Sequence, residues 1–159
     1  MSPLRLALGR WWPAALWMAL IFVGSTDLLA DSRTAGLLRP LLQALFPFLD
    51  EPGLELVHFT LRKLGHVTEY AILAALLRRG WVGPPGRVGA ARRGRAALLI
   101  FAVCVAYAAS DEWHQSFTAA RHGAWQDVAI DGCGALFGLG GCAWRFRRRE
   151  RSDAPPQSN

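Results

Sequence analysis

The chain alternates between apolar stretches and blocks of charged residues. We predict four helices in the apolar stretches, at about 11–25, 62–77, 95–110 and 125–144. None reaches the roughly 20 uninterrupted apolar residues of an ideal membrane-spanning helix, but each is long enough if the polar residues at one end face other helices. Because the third stretch has no polar stripe along its length, the pattern favours a membrane bundle over a soluble four-helix bundle.

The predicted fold class is all-α: an integral membrane four-helix bundle with short spans and an interfacial, amphipathic segment between spans one and two. In that segment, 26–60, the apolar spacing suits a helix lying in the membrane interface, and we expect Pro40 and Pro47 to interrupt it. The 159 residues fit one domain. The chain then divides into a cytoplasmic N-terminal segment, the four-span domain and a basic, then disordered tail, at 1–10, 11–146 and 147–159.

Arginine placement predicts the orientation of these spans. Arginines precede span one, fill the link 78–95 and follow span four, whereas the segments after spans one and three are richer in acids. Basic short loops stay cytoplasmic, so we predict a multi-pass plasma-membrane protein with both termini inside. The net charge of +6 also suits a nucleic-acid-binding protein. Topology and anionic headgroups explain arginine clusters between apolar spans more simply, so we expect the bilayer as partner and no nucleic acid.

Polar chemistry is concentrated at 110–132, between two uncharged runs. This segment holds four acids, two histidines, an arginine and two glutamines, and the predicted topology puts it outside with the start of span two. Helical spacing places polar side chains on one face, or its edge, at each of three helix ends. These side chains are Lys63, His66, Glu69 and Tyr70 on span two, Tyr107, Asp111, Glu112, His114 and Gln115 on span three, and Asp127 and Asp131 on span four.

The stripe that begins with Asp127 and Asp131 continues along span four with Gly134 and Gly138. A Gly-x-x-x-Gly spacing lets another helix backbone approach closely. The sequence therefore predicts a tight contact between span four and a neighbouring helix.

Several of these polar groups have purely structural explanations. Arg62 and Arg121 are each explained by snorkelling to the membrane interface, and Asp127 by its place at a positive helix N-terminus. Structural roles explain less well why Glu69, Asp131 and His66 lie a turn or more inside apolar helices, where ionisable groups are costly. We expect Lys63 and Arg121, of opposite charge and on the same face, to be their partners.

Two blocks carry a resemblance to a known family. "KLGHVTEYAILAALL" and "SDEWHQSFTAARHGAWQDVAIDGCGALFG" resemble the two signature blocks of the VanZ-like family. The positions that agree with the family pattern are Lys63, His66, Tyr70, Glu112, Gln115, Arg121, Asp127, Asp131 and Gly134, with Ser25 at the end of span one. The chain departs from many relatives at Ala119–Ala120, where they have a Pro-Gly-like turn.

The resemblance implies a multi-pass bacterial membrane protein of the cell envelope. The family's namesake is associated with resistance to the glycopeptide antibiotic teicoplanin, so a link to such resistance is implied here too. Some relatives carry an acyl-phosphate transferase label, to which we give little weight because the chain has no phosphate-cradling glycine-rich loop.

Three functions suit the polar cluster. The first is binding of an anionic lipid or a lipid-linked cell-wall precursor, since arginine makes bidentate phosphate contacts. The alternative is an acid/base or metal-dependent hydrolase or transferase acting on a lipid-linked substrate. A small transporter is less favoured, because four short spans leave little room for a pathway. We expect no cofactor.

The candidate residues differ between these functions. The ligand-binding set is Lys63, His66, Tyr70, Asp111, Glu112, Gln115, Arg121, Asp127 and Asp131. Catalytic residues are unassigned, with His66, Glu69 and Glu112 as candidates. No metal site is predicted, and the set closest to one is His66, Glu69, Asp111 and His114.

Overall fold

The computed structural model describes residues 3–26, 31–82, 89–117 and 124–152, and every regular element in them is an α-helix. The all-α class is therefore confirmed. The helices are α1 (Pro3–Ser25), α2 (Asp31–Leu45), α3 (Glu51–Val82), α4 (Ala90–Gln115) and α5 (Trp125–Ser152).

Helix α3 begins at Glu51, well before the predicted start of span two. Asp50 acts as its N-cap, because the backbone N–H of Gly53 donates to Asp50 Oδ1 at 3.0 Å. Glu51 adds a negative charge at the positive helix N-terminus, and Pro52 lies in the first turn, where its missing N–H costs nothing. The end of the predicted connector is therefore helical.

We expected both Pro40 and Pro47 to interrupt the helix of the connector, and this was wrong for Pro40. Pro40 lies inside α2 and does not end it, whereas Pro47 lies in the turn that joins α2 to α3. Helix α2 packs against α3 and buries Leu42. This contact attaches the short helix to the side of the bundle.

Helix α3 is the centre of the bundle and contacts each of the other four helices. Helix α1 runs antiparallel to α3, since Arg10 Nη2 on α1 donates to the carbonyl of Gly80 on α3 at 2.7 Å. Helix α4 likewise runs antiparallel to α5, since Arg93 on α4 stacks on Phe146 on α5. Both contacts lie at the end of the bundle that holds the arginine blocks, which we call the basic end. The polar cluster lies at the opposite end.

Large apolar side chains cover the outside of α1, α3, α4 and α5, whereas several acids are buried. The exposed set includes Leu16, Leu20, Phe22 and Val23 on α1, Ile72 and Trp81 on α3, Leu98, Leu99 and Val103 on α4, and Leu136, Phe137 and Trp144 on α5. Within the described ranges, Ala91–Gln115 is long and apolar enough to cross a membrane. The other three predicted spans stay a prediction.

Helices α3 and α5 form the most extensive contact in the bundle. A Cβ added to Gly134 would collide with the backbone carbonyl of Val67, and one added to Gly138 would collide with that of Ala71. Both glycines of α5 therefore face α3 across a gap that is too narrow for any side chain. This confirms the predicted close helix contact.

The glycine contact gives a first testable prediction. We expect Gly138→Ala to lower the free energy of unfolding in detergent by about 1–3 kcal/mol, because the rigid Ala71 backbone must move away. The control is Gly140→Ala on the same helix, where a Cβ meets nothing within 4 Å and alanine is the better helix former. Equal loss of stability in the two variants would contradict the packing described here.

Candidate functional site

Two pairs of charged side chains connect α3 to α5 beside the glycine contact. Lys63 Nζ donates to Asp127 Oδ1, and one turn further along, His66 Nδ1 lies 3.1 Å from Asp131 Oδ1. The match follows from spacing, since Lys63 and His66 are three residues apart and the two aspartates four. Arg62 adds a second cation, with its guanidinium 3.8 Å from Asp127 Oδ2.

Glu112 connects the end of α4 to the start of α5. Its Oε2 accepts a hydrogen bond of 2.8 Å from the backbone N–H of Ala124, the residue before α5. Helix N-termini leave such N–H groups without an intrahelical partner, and a carboxylate also complements the positive helix end. The buried Glu112 carboxylate therefore fixes where α5 begins.

Asp111 and Gln115 are one turn apart near the end of α4 and both are buried. Gln115 Nε2 donates to Asp111 Oδ2 at 3.0 Å. Among the described residues, four buried polar atoms have no hydrogen-bond partner. They are Tyr70 Oη, Asp111 Oδ1, Glu112 Oε1 and His114 Nδ1.

A cavity of about 240 Å³ opens beside these residues, between α1, α2, α3 and α4. Its polar lining includes one arginine, Arg62, and two histidines, His58 and His66. It also includes the acids Glu69 and Asp111. The remaining lining consists of Ile21, Gly24, Ser25, Leu38, Leu61, Gly65, Tyr70 and Gln115. The site therefore has mixed charge and one apolar wall.

The structure separates the predicted site residues into two groups. His66, Glu69, Tyr70, Asp111 and Gln115 line the cavity. The residues that instead hold helices together behind it are Lys63, Glu112, Asp127 and Asp131. Arg121 lies outside the described residues, so its place in the binding set stays a prediction.

His114 is set apart from the other candidate metal ligands. Its ring packs on Phe22 of α1, with ring centroids 4.8 Å apart. Within the described parts of the chain, no three His, Cys, Asp or Glu side chains are grouped as a metal site requires. The set of His66, Glu69, Asp111 and His114 therefore does not form a first coordination shell in this conformation.

Sequence reasoning missed two polar residues of the cavity wall. Arg62 was interpreted as a snorkelling side chain, and His58 fell in the stretch treated as a connector. Both lie on the face of α3 that carries His66, at spacings of four residues. The predicted span two began at 62, whereas α3 begins at Glu51. Continuing the four-residue spacing backwards from His66 would have found both residues.

Comparison with protein families gives one finding, and two further comparisons give none. The family model described as VanZ/LLP1 matches residues 11–146, which is most of the chain. No curated protein and no solved structure shows a significant match.

The pair of Lys63 and Asp127 provides a second testable prediction. Asp127 is almost fully buried, and breaking a buried pair from one side commonly costs about 3–5 kcal/mol. We expect Lys63→Met to cost less than that, because Arg62 remains 3.8 Å away, and Asp127→Asn in the same chain to recover part of the loss. A double-mutant cycle of unfolding free energies should give a coupling of about 1 kcal/mol or more.

The matched control is the exposed pair of Arg39 and Glu51. Solvent screens such pairs, so its cycle should give a coupling of about 0–1 kcal/mol. Additive effects of Lys63→Met and Asp127→Asn would contradict the buried pair. A coupling of Arg121 to Asp127 is tested by a second cycle that combines Arg121→Gln with Asp127→Asn in the same assay.

Proposed function

We propose that this chain, which belongs to the VanZ/LLP1 family, is a multi-pass membrane protein that binds the phosphate-bearing headgroup of a cell-envelope lipid in the cavity beside Arg62. A link to glycopeptide resistance of the teicoplanin type would follow from such binding, through the lipid or lipid-linked precursor that the protein holds. The ligand enters from the bilayer, and its acyl chains stay outside the cavity.

The distribution of apolar and acidic side chains supports a membrane location. Buried acids and exposed large apolar side chains are the reverse of what water selects, and they suit a bundle surrounded by lipid. The arginine blocks lie together at the basic end, and positive loops stay in the cytoplasm. In this orientation, the cavity lies in the outer half of the membrane and both termini lie inside the cell.

Arg62 at the cavity wall is the observation that carries the binding proposal. Its guanidinium has five N–H donors in a planar fork, the geometry that fits phosphate oxygens. The nearby Asp127 already accepts from Lys63, and its distance of 3.8 Å from Arg62 is too long for a hydrogen bond. A headgroup phosphate at the wall would therefore meet a planar cationic donor beside the pair of Lys63 and Asp127.

A second candidate function is acid–base catalysis by His66. Asp131 lies 3.1 Å from Nδ1 and is almost fully buried, which is how a carboxylate orients an imidazole and stabilises its charged form. Because His66 also lines the cavity, its ring is close to any bound headgroup. Glu112, another catalytic candidate from the sequence, is less favoured because it accepts from the backbone N–H of Ala124 instead.

The orientation gives a third prediction. Reporter fusions after Gly86 and after Arg149 should both report a cytoplasmic location, and fusions near Glu51 and His122 an extracytoplasmic one, because the arginine blocks flank the first two sites. An extracytoplasmic signal from the fusion after Gly86 would overturn the four-span topology.

The binding proposal gives a fourth prediction. The full chain, purified in detergent and titrated with phosphatidylglycerol in native mass spectrometry, should bind one lipid saturably. Arg62→Gln should weaken that binding about tenfold, since hydrogen bonds to charged groups contribute about 1.5–3 kcal/mol. The matched control is Arg147→Gln, which removes an exposed arginine at the basic end and should leave the affinity unchanged.

The same samples test the second candidate function. Lipid extracts after incubation are analysed for headgroup release by wild type and by His66→Gln. A released headgroup that requires His66 would favour catalysis over simple binding. Unsaturable binding, or equal affinity of the Arg62→Gln and wild-type chains, would overturn the binding proposal.

A further inference from the structure

Two residues of the cavity lining each carry a buried polar atom without a hydrogen-bond partner. Asp111 is 7% exposed and its Oδ1 has no hydrogen-bond partner among the described residues; Tyr70 is 1% exposed and the same holds for its Oη. Burying such groups unpaired is costly, and the cost is highest for an ionised carboxylate because its charge is removed from water. Native proteins retain such an arrangement where a ligand supplies the missing partner.

The charges around Asp111 indicate what kind of partner is missing. The cations of the cluster are directed elsewhere: Lys63 and Arg62 to Asp127, and His66 to Asp131. Within the described residues, no lysine, arginine or histidine nitrogen forms a salt bridge with Asp111. Its one hydrogen bond comes from the neutral amide of Gln115. Among the residues that the structure describes, the Asp111 carboxylate therefore has a donor but no compensating positive charge.

We propose that the Asp111 wall of the cavity binds a primary ammonium group, so that the preferred ligand is a zwitterionic phospholipid headgroup of the phosphoethanolamine type. This inference rests on the proposed function, which supplies the phosphate site at Arg62. The ammonium donates to Asp111 Oδ1, and Tyr70 Oη has lone pairs for a second N–H. The ligand then bridges the two oppositely charged sides of the cavity.

The size of the cavity agrees with this ligand class. Its 240 Å³ is below the roughly 300–1,000 Å³ of sites that enclose a drug-sized molecule. It is also several times the roughly 30 Å³ that one water occupies. A phosphate joined to a short amine fits within those limits, with the acyl chains lying along the exposed apolar surface of the bundle.

A primary ammonium group accounts for the unpaired Asp111 oxygen better than a hydroxyl or a quaternary ammonium group does. A hydroxyl-bearing headgroup satisfies Oδ1 but leaves the negative charge uncompensated in a poorly hydrated place. A quaternary ammonium brings charge but no N–H donor. These differences make three phospholipids with identical acyl chains a direct test: phosphatidylethanolamine, phosphatidylglycerol and phosphatidylcholine.

The experiment measures the affinity of the full chain for each lipid by native mass spectrometry. We expect phosphatidylethanolamine to bind about tenfold more tightly than phosphatidylcholine, because a charge-assisted hydrogen bond is lost in the latter. Asp111→Asn should remove that preference. The matched control, Glu150→Gln, changes an exposed carboxylate at the basic end and should leave the preference intact.

A series on the wild-type chain keeps the test independent of how Asp111→Asn folds. Mono-, di- and trimethylated phosphatidylethanolamine lose N–H donors one by one, and the affinity should fall along that series. Equal affinity along the series, or an ethanolamine preference that survives in Asp111→Asn, would overturn the inference.

The two proposals fail in different ways. If Arg62→Gln weakens binding of all three lipids but phosphatidylethanolamine has no advantage that depends on Asp111, the phosphate site stands and the ammonium site is wrong. If Arg62→Gln changes the affinity for none of them, the phosphate site is itself wrong.

Discussion

The close contact of α3 with α5 is the constraint on which the rest of the structure depends. Gly134 and Gly138 bring the α5 backbone against Val67 and Ala71, with no room for a side chain between them. At that separation the side chains at the end of the contact meet directly, so Lys63 reaches Asp127 and His66 reaches Asp131. A larger residue at either glycine would push the two backbones apart and strain both pairs.

The buried acids divide according to whether a neighbour compensates them. Asp127 and Asp131 have cationic or protonatable partners on α3, and Glu112 accepts from the backbone N–H of Ala124, the residue before α5. These three hold the helices in register, and removing a partner from such a pair is far more damaging than never having built it. Asp111 has no such partner among the described residues, and it lies on the cavity wall. Stability accounts for the first three carboxylates, whereas a ligand accounts best for the fourth.

Helix α3 joins these roles in one element. Its early turns, stabilised by the Asp50 N-cap, carry His58 and Arg62 to the cavity wall. Its middle carries Lys63 and His66 to α5. Its last turns contact Trp11 and Arg10 of α1 at the basic end. A helix of 32 residues in contact with all the others therefore joins the cavity wall, the α5 contact and the basic end in one element.

The sequence alone determined the helical class, the close approach at Gly134 and Gly138, and the polar face of α3, because helical period and residue size are local properties. It also predicted that Asp131 and His66 need partners, but it assigned Lys63 and Arg121, whereas Lys63 binds Asp127 and His66 binds Asp131. Only the tertiary structure decided those pairings and separated the cavity wall from the residues behind it. The physical reason is that partner choice depends on the rotation of α5 against α3, which the contact of the two backbones sets and no single helix encodes.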